Sequence, residues 1–397
     1  MKISVCMMVK NEEKNLPRIL DSIKKLDLMD ELCIFDTGST DKTLTIARKY
    51  KAKIAKADNL DDYYVETKFG KMINFSKARN KSIEEATGDW LLLVDADEEL
   101  IFEKDSVQSH VSEDLREFLS GLGDDIEGVA IKFQDQQKGK THVRFPPPRI
   151  FRNGKVKFEG IVHNVPRFND PAIFYPHLIV LHYGFDLTKA QKKAKDDRTL
   201  GLLMRRLKDD PTDFRVYFYL AQMYGEGANY EKCIEFCIKY IRNAAYVKRF
   251  NNSIYFTMVQ ACMYGDQPLL ADKWLGEAIR ELPDDIDIAM AIIDYGVWQK
   301  KPLVVLEGAA RFVRAYDKML IEPLSAGSRF IYNFNKEALC KALFHLSGMR
   351  IQEGIFQLER LKKEMKDLPS AMQKKFNDDI QKALKDSGAK WIHKEDK

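Results

Sequence analysis

No run of apolar residues in this 397-residue chain approaches the length of a bilayer-spanning helix, so no transmembrane segment is expected. The opening run Met1–Val9 is too short for a secretory signal. It stops at Lys10-Asn11-Glu12-Glu13 without a cleavage site, and reads as a first strand. Cysteine is sparse: Cys6, Cys33, Cys233, Cys237, Cys262 and Cys340 include no Cys-x-x-Cys pair and lie mostly within apolar patterns. That argues against a disulfide framework and for reduced core thiols in a cytoplasmic protein. Cys233 and Cys237 are four residues apart on an expected helix, but no His or Cys cluster nearby completes a zinc site. An excess of one charge is lacking too. The 64 basic residues face 60 acidic ones, and a net +4 neither demands nor excludes a nucleic acid or an anionic membrane. What is present is a chain too long for one ordinary core, so two or three domains are expected.

The first hundred residues alternate between strand and helix. Ile3–Val9 reads as a buried strand, Glu12–Lys25 as a helix with Leu16, Ile19, Leu20 and Ile23 on one face, and Leu32–Phe35 as a second strand. Asp36-Thr37-Gly38-Ser39-Thr40-Asp41 forms a loop that caps a helix through Lys49, and Ile54 lies in a short third strand. A long polar loop, Asp58–Asn74, leads into a helix over Asn74–Ala86, which stops at Gly88. Trp90–Val94 is an unbroken apolar run, the pattern of a strand buried on both faces. The alternation implies parallel crossovers and a doubly wound α/β sheet. From about Val129 to Tyr183 short strands take over. Ile131-Lys132-Phe133 and Val143-Arg144-Phe145 flank a Lys138-Gly139-Lys140 turn, and Pro146-Pro147-Pro148 breaks regular structure before Arg149-Ile150-Phe151.

Beyond Leu187 nearly everything reads as helix. The expected division is an α/β domain over 1–187, a helical linker over 188–210 and an all-α repeat domain over 211–397. Two helical hairpins share a pattern: Tyr217, Leu220, Ala221 and Tyr224 before Cys233, Cys237 and Tyr240, then Tyr255, Met258, Val259 and Cys262 before Ala271, Leu275 and Ala278, closed by Pro283. These offsets resemble the tetratricopeptide repeat, although the spacing is 38 residues and not the usual ~34. The bland alternative is a plain helical bundle. The Lys-rich tail after Ser387 reads as a frayed end.

The chemistry is concentrated where the apolar run ends. Trp90–Val94 delivers Asp95 and Asp97, one residue apart, to the carboxyl edge of its strand, where open α/β sheets bind ligands. Two carboxylates there repel one another unless a cation joins them. A hard divalent ion carrying a diphosphate is the natural partner, and an acidic turn capping the next helix is the alternative.

Five strings in order turn that pair into part of a larger pattern: Ser4–Glu13, Asp36–Thr43, Ser76-Lys77-Ala78-Arg79-Asn80, Ala86-Thr87-Gly88-Asp89-Trp90 and Val94–Glu99. They resemble family-two glycosyltransferases of the GT-A fold, whose sheet is Rossmann-like and mostly parallel. The likeness runs to about residue 185 through Arg149–Asn153 and Phe158–His163, and members often carry a tetratricopeptide-like tail. The resemblance implies a donor site in which Val9, Asn11, Glu13 and Asp36 frame a nucleoside, Asp36 accepting from a uracil N–H, and Arg79 pairs with the diphosphate. It implies Asp97 as the direct ligand of Mn2+ or Mg2+, Asp95 on the ribose or on the metal through water, Ala96 beside the donor, and His182 completing the metal shell. Each has a plainer reading: Asp36 caps a helix, Glu13 favours a helix start, Arg79 is a surface cation, and His182 is a core imidazole.

His163 lies in a Gly-x-x-His element where relatives show His-Glu, but the next residue here is Asn164. Without that carboxylate, the candidates for the general base of an inverting transfer are Glu159, Asp135 and His163, with Glu98 set behind them because it follows the metal motif. A thiol acceptor would need a base less, given its lower pKa.

The leading expectation is thus a metal-dependent inverting glycosyltransferase using a nucleotide sugar, UDP-linked by resemblance. The acceptor stays open between a peptide or protein side chain, as in sublancin-type peptide glycosyltransferases, a bacterial surface glycan, and modified DNA bases. A rival class is a binding module whose amino-terminal domain is a degenerate scaffold, against which the intact Asp36, Arg79, Asp95 and Asp97 argue. A nucleotidyltransferase would need a glycine-rich loop after the first strand, where Lys10-Asn11-Glu12-Glu13 has none. The helical region is expected to read a peptide, to form a homodimer, or both.

Overall fold

The structure is a computed structural model. It describes all residues except 104–111, 113, 138, 145, 170–171, 185–186, 247–252, 322–335, 348–359 and 387–397, so the tail after Ser387 and two positions of the expected hairpin, Lys138 and Phe145, lie outside it. The chain divides into two compact units, Met1–Met223 and Tyr224–Lys397.

The first unit is built on a nine-stranded sheet in the order β3-β2-β1-β6-β10-β8-β13-β7, with β9 on β8. Its strands are β1 (Ile3–Val9), β2 (Glu31–Asp36), β3 (Lys53–Ala55), β6 (Trp90–Leu93), β7 (Glu98–Phe102), β8 (Gly128–Gln137), β9 (Lys140–Arg144), β10 (Pro148–Arg152) and β13 (Ile173–His182). The sheet is mixed. Strands β3, β2, β1 and β6 run parallel, while β10 is antiparallel to both its neighbours and β7 is antiparallel to β13. Strand β1 pairs with β2 on one side and β6 on the other, so the chain order reverses there, and the carboxyl ends of β1 and β6 form the edge at which open α/β sheets bind ligands. All four residues of β6 are buried, as its apolar run requires.

Helix α1 (Leu16–Lys25) buries Leu16, Ile19, Leu20 and Ile23 in the core. It starts four residues later than the apolar pattern predicts, because Pro17 lacks an N–H and fits only a first turn. Residues Glu12 and Glu13 are left as loop. Helix α2 is Thr43–Lys49. Helix α3 (Phe75–Ile83) begins where Asn74 Oδ1 accepts from Lys77 N, and it ends three residues before the expected Ala86.

The expected polar loop before α3 is not structureless. It holds a 3-10 turn (Leu60–Tyr63) and a small hairpin of β4 (Tyr64–Thr67) and β5 (Gly70–Ile73). A second small hairpin joins β11 (Lys157–Glu159) to β12 (Val165–Arg167), and α4 (Leu115–Ser120) is a short helix between β7 and β8.

The expected helical linker is α5 (Lys189–Asp209), opened by a Thr188–Gln191 capping box. It belongs to the first unit. Arg205 Nη1 donates to Glu66 O on β4, and Arg206 Nη1 donates to Val162 O while its Nε pairs with buried Asp213. The compact division therefore falls within α6 (Arg215–Glu226) and not near residue 188.

The second unit is helical. α7 (Tyr230–Tyr246), α8 (Ser253–Tyr264), α9 (Pro268–Glu281), α10 (Ile286–Trp298), α11 (Pro302–Ile321) and α12 (Lys336–Ser347) pack largely against their sequence neighbours, and α13 is Ser370–Asp386. The small and medium residues of the repeat pattern, Cys233, Cys237, Cys262, Ala271, Leu275 and Ala278, are buried. The helix pairs turn through left-handed residues at Ala228, Asp266 and Lys300, 38 and then 34 residues apart. A third repeat-like hairpin, α10–α11, thus follows the two visible in the sequence. Among the described residues no helix is long and apolar enough to cross a membrane, and the six cysteines are buried thiols without disulfides.

Candidate active site

Strand pairing assembles the site. Past the end of β6, Asp95–Asp97 form a turn into β7. In register, His182 on β13 stands opposite Glu98 on β7 and opposite Asp135 on β8. His182 Nδ1 meets Asp135 Oδ1 at 2.7 Å, and its Nε2 lies 3.4 Å from Asp97 Oδ2. Burial alone would lower the His182 pKa, but Asp135 and Asp97 override it and raise it to about 9. Gly184 sits directly against this pair. A Cβ there would fall 2.3 Å from Asp97 Oδ2 and 2.6 Å from His182 Nε2.

Asp95 points elsewhere. Its Oδ1 accepts from Arg79 Nη2 at 2.8 Å, and its Oδ2 lies 3.6 Å from Arg149 Nη1. Burial opposes its ionisation, yet Arg79 and then Arg149 hold its carboxyl well below the usual range. Arg79 is buried, stacks near the Phe158 ring, and keeps an Nε without a hydrogen-bond partner. Glu98 is fully buried between Arg149 Nη2, at 2.6 Å, and the Asp95 backbone N–H, at 2.8 Å. Burial pushes the Glu98 carboxyl up, against the pull of Arg149.

The residues expected to frame a nucleoside lie on the β1 and β2 loops, which are laced together. Asn11, at a φ of 56°, accepts from Thr40 N through Oδ1, and its own N–H donates to Ser39 Oγ. Glu13 accepts from Lys42 N, and Asp36 accepts from the Ser39 N–H and hydroxyl. The side chains of Val9 and Ala96 pack into the core, so only their backbones are available at the edge. Glu12, to which the sequence reading gives no role, is a partly buried carboxyl whose pKa is raised by burial and by nearby Asp97, Asp41 and Asp95.

The three base candidates are separated. Asp135 is buried and engaged with His182. Glu159 is exposed on β11 and paired with Arg167 at 2.8 Å. His163, also at positive φ, stacks flat on Tyr219 of α6, with centroids 3.9 Å apart and planes 5° from parallel. The residue is exposed overall, but loss of water from its ring, with Arg206 and Lys195 nearby, pushes its pKa down to about 4. Among the described residues no group of three or more His, Cys, Asp and Glu is arranged as a ready metal cage.

A mixed sheet with an Asp-x-Asp turn at its switch point defines a GT-A type of domain. Residues 4–168 match the family model for Glycosyl transferase family 2. The chain is 33% identical over 226 residues to a TPR repeat-containing protein of Synechococcus elongatus, covering 53% of this chain and 49% of that protein. It is 32% identical over 259 residues to the SPbeta prophage-derived glycosyltransferase SunS of Bacillus subtilis, covering 64% and 56% respectively. Similarity to the poly(ribitol-phosphate) beta-N-acetylglucosaminyltransferase TarS of Staphylococcus aureus is 36% over 101 residues, 25% of this chain and 16% of that one. A TarS 1–349 crystal structure aligns over 82% of this chain and 91% of that chain, at 14% identity and a TM-score of 0.32. The matches span about half the length of the first two relatives.

Proposed function

We propose that this chain is a glycosyltransferase that moves a sugar from a nucleoside diphosphate sugar, with uridine as the nucleoside, to an acceptor with inversion, assisted by Mn2+ or Mg2+. The observation that carries the reading is the meeting of Asp97 and His182 at the carboxyl edge of the sheet, beside an Asp95 held by two arginines. The donor set suits such a cation. A carboxylate oxygen faces an imidazole Nε2 whose Nδ1 is tied to Asp135, which is the outer-shell bond that metal-ligating histidines use. Gly184 keeps the space beside both atoms clear. Asp97 and His182 would hold the ion, which when bound offsets charge on the departing diphosphate.

The chain's own groups do the rest. Arg79, with an Nε still unpartnered, supplies a fixed guanidinium for a phosphate oxygen, and Asp95 orients the ribose. The laced loops of Asn11, Glu13 and Asp36 form the nucleoside wall, with the backbones of Val9 and Ala96 at its base. Asp135 is committed to His182, Glu159 to Arg167 and Glu98 to Arg149, which leaves His163 to take the acceptor proton. So weak a base suits an acceptor that ionises readily, a thiol before a hydroxyl. A peptide or protein side chain offered along the helical repeats fits that requirement, since repeat surfaces bind extended segments. The buried thiols suit a cytoplasmic setting.

The test is a panel of nucleotide sugars incubated with the protein, Mn2+ and bacterial lysate, followed by mass spectrometry of what gains a sugar. The reading predicts a hexose or pentose increment on a peptide or protein, from a UDP-sugar. Turnover only with other nucleotides, or none, would overturn it.

A further inference from the structure

Arg149 comes from the Arg-Ile-Phe-Arg string of β10, to which the reaction scheme above assigns no task. Antiparallel pairing of β10 with β6, Ile150 opposite Leu92, brings this arginine level with Leu93, the last residue of β6, and its side chain reaches the Asp95–Asp97 turn. There its side chain is 15% exposed and divides its fork. Nη2 binds Glu98 Oε1 at 2.6 Å, and Nη1 lies 3.6 Å from Asp95 Oδ2. Glu98 in turn closes the turn from within. Its Oε2 accepts the Asp95 N–H at 2.8 Å, and its own N–H donates to Asp95 O at 3.2 Å. One guanidinium therefore fixes the turn at two points, the Asp95 carboxylate and the carboxylate that holds the Asp95 backbone.

We propose that Arg149 is a positioning residue that, through buried Glu98 and through Asp95, sets the Asp95–Asp97 turn in the conformation that presents Asp97 to the divalent cation. The inference rests on the metal reading above. A fork is needed, because a lysine ammonium is a single point on a flexible stem and cannot hold both carboxylates in a plane. Groups that orient a metal's ligands from behind alter metal affinity without touching the metal.

The test is Mn2+ binding followed by electron paramagnetic resonance on the full chain, with thermal midpoints taken in EDTA. Arg149→Lys keeps the charge, and Glu98→Gln keeps the shape should the lysine variant not fold. Each is expected to weaken Mn2+ binding by about tenfold or more, at an EDTA midpoint within a few degrees of the parent. The double variant is expected to lose less than the product of the two, as members of one network do. Parent-like Mn2+ affinity in Arg149→Lys and Glu98→Gln, with binding intact in the parent and lost in Asp97→Asn, would overturn the role of Arg149 alone. Absence of Mn2+ binding in the parent would instead overturn the metal reading, and this inference with it.

Discussion

A methyl group at position 184 has nowhere to go, since Asp97 Oδ2 and His182 Nε2 already occupy its place. Gly184→Ala is expected to displace one of the two proposed ligands and to cut donor turnover by roughly 100-fold, the effect of an ångström-scale misplacement. The EDTA thermal midpoint should change little, and parent-like turnover would contradict the geometry. The sequence makes Asp95 and Asp97 visible because an apolar run ends in them. It cannot show which way each one turns. Asp135 meets His182 across 47 residues, and the β8–β13 register brings them together. Glu98 and Arg149 are hidden for the same reason, since they are joined across 51 residues of chain. A local signal for Gly184 did exist, a glycine two residues after a suspected ligand.

At the scale of elements, strands and helices with strong periodicity follow the sequence, and the departures have local causes. Pro17 delays α1, and the hairpin β4–β5 hides in a short segment that is exposed or half-exposed throughout and so carries no buried apolar face. The helical repeats are legible twice and blur at the third, where α10 is apolar nearly all round and shows little periodicity.

The amino edge of the sheet offers a pH test. Glu31 at the start of β2 binds Lys53 beside β2, the Ser4 hydroxyl on β1, and Thr87 ahead of β6. Burial opposes its ionisation, but these partners lower its pKa from 4.5 to about 2. A carboxyl depressed on folding stabilises the fold above its unfolded pKa, and that contribution is lost as pH falls from about 4.5 to about 2. Glu31→Gln should therefore cost about 2 kcal/mol in urea unfolding at pH 7, and its stability should fall less steeply between pH 4.5 and 2. Parallel curves for the two proteins would contradict this.

For the whole molecule, the finding with most consequence is that α5 belongs with the sheet. A cut after Leu187 would strip away Arg205 and Arg206, leaving Glu66 O and Val162 O without these donors. A cut after Glu226, at the end of α6, leaves those bonds in place. The longer fragment is expected to hydrolyse the donor and to lose transfer to the acceptor, as separate roles for the two regions require. Equal loss of both activities would count against that separation.

In the proposed function, Asp97 and His182 hold a divalent cation for a nucleotide-sugar donor. UDP-sugar hydrolysis, measured with Mn2+ and with EDTA in the parent and in Asp97→Ala, tests it most directly. Turnover is expected in the parent, abolished by EDTA and restored by Mn2+, and none in Asp97→Ala despite a parent-like fold. Metal-independent turnover, or turnover that survives the loss of Asp97, would contradict it.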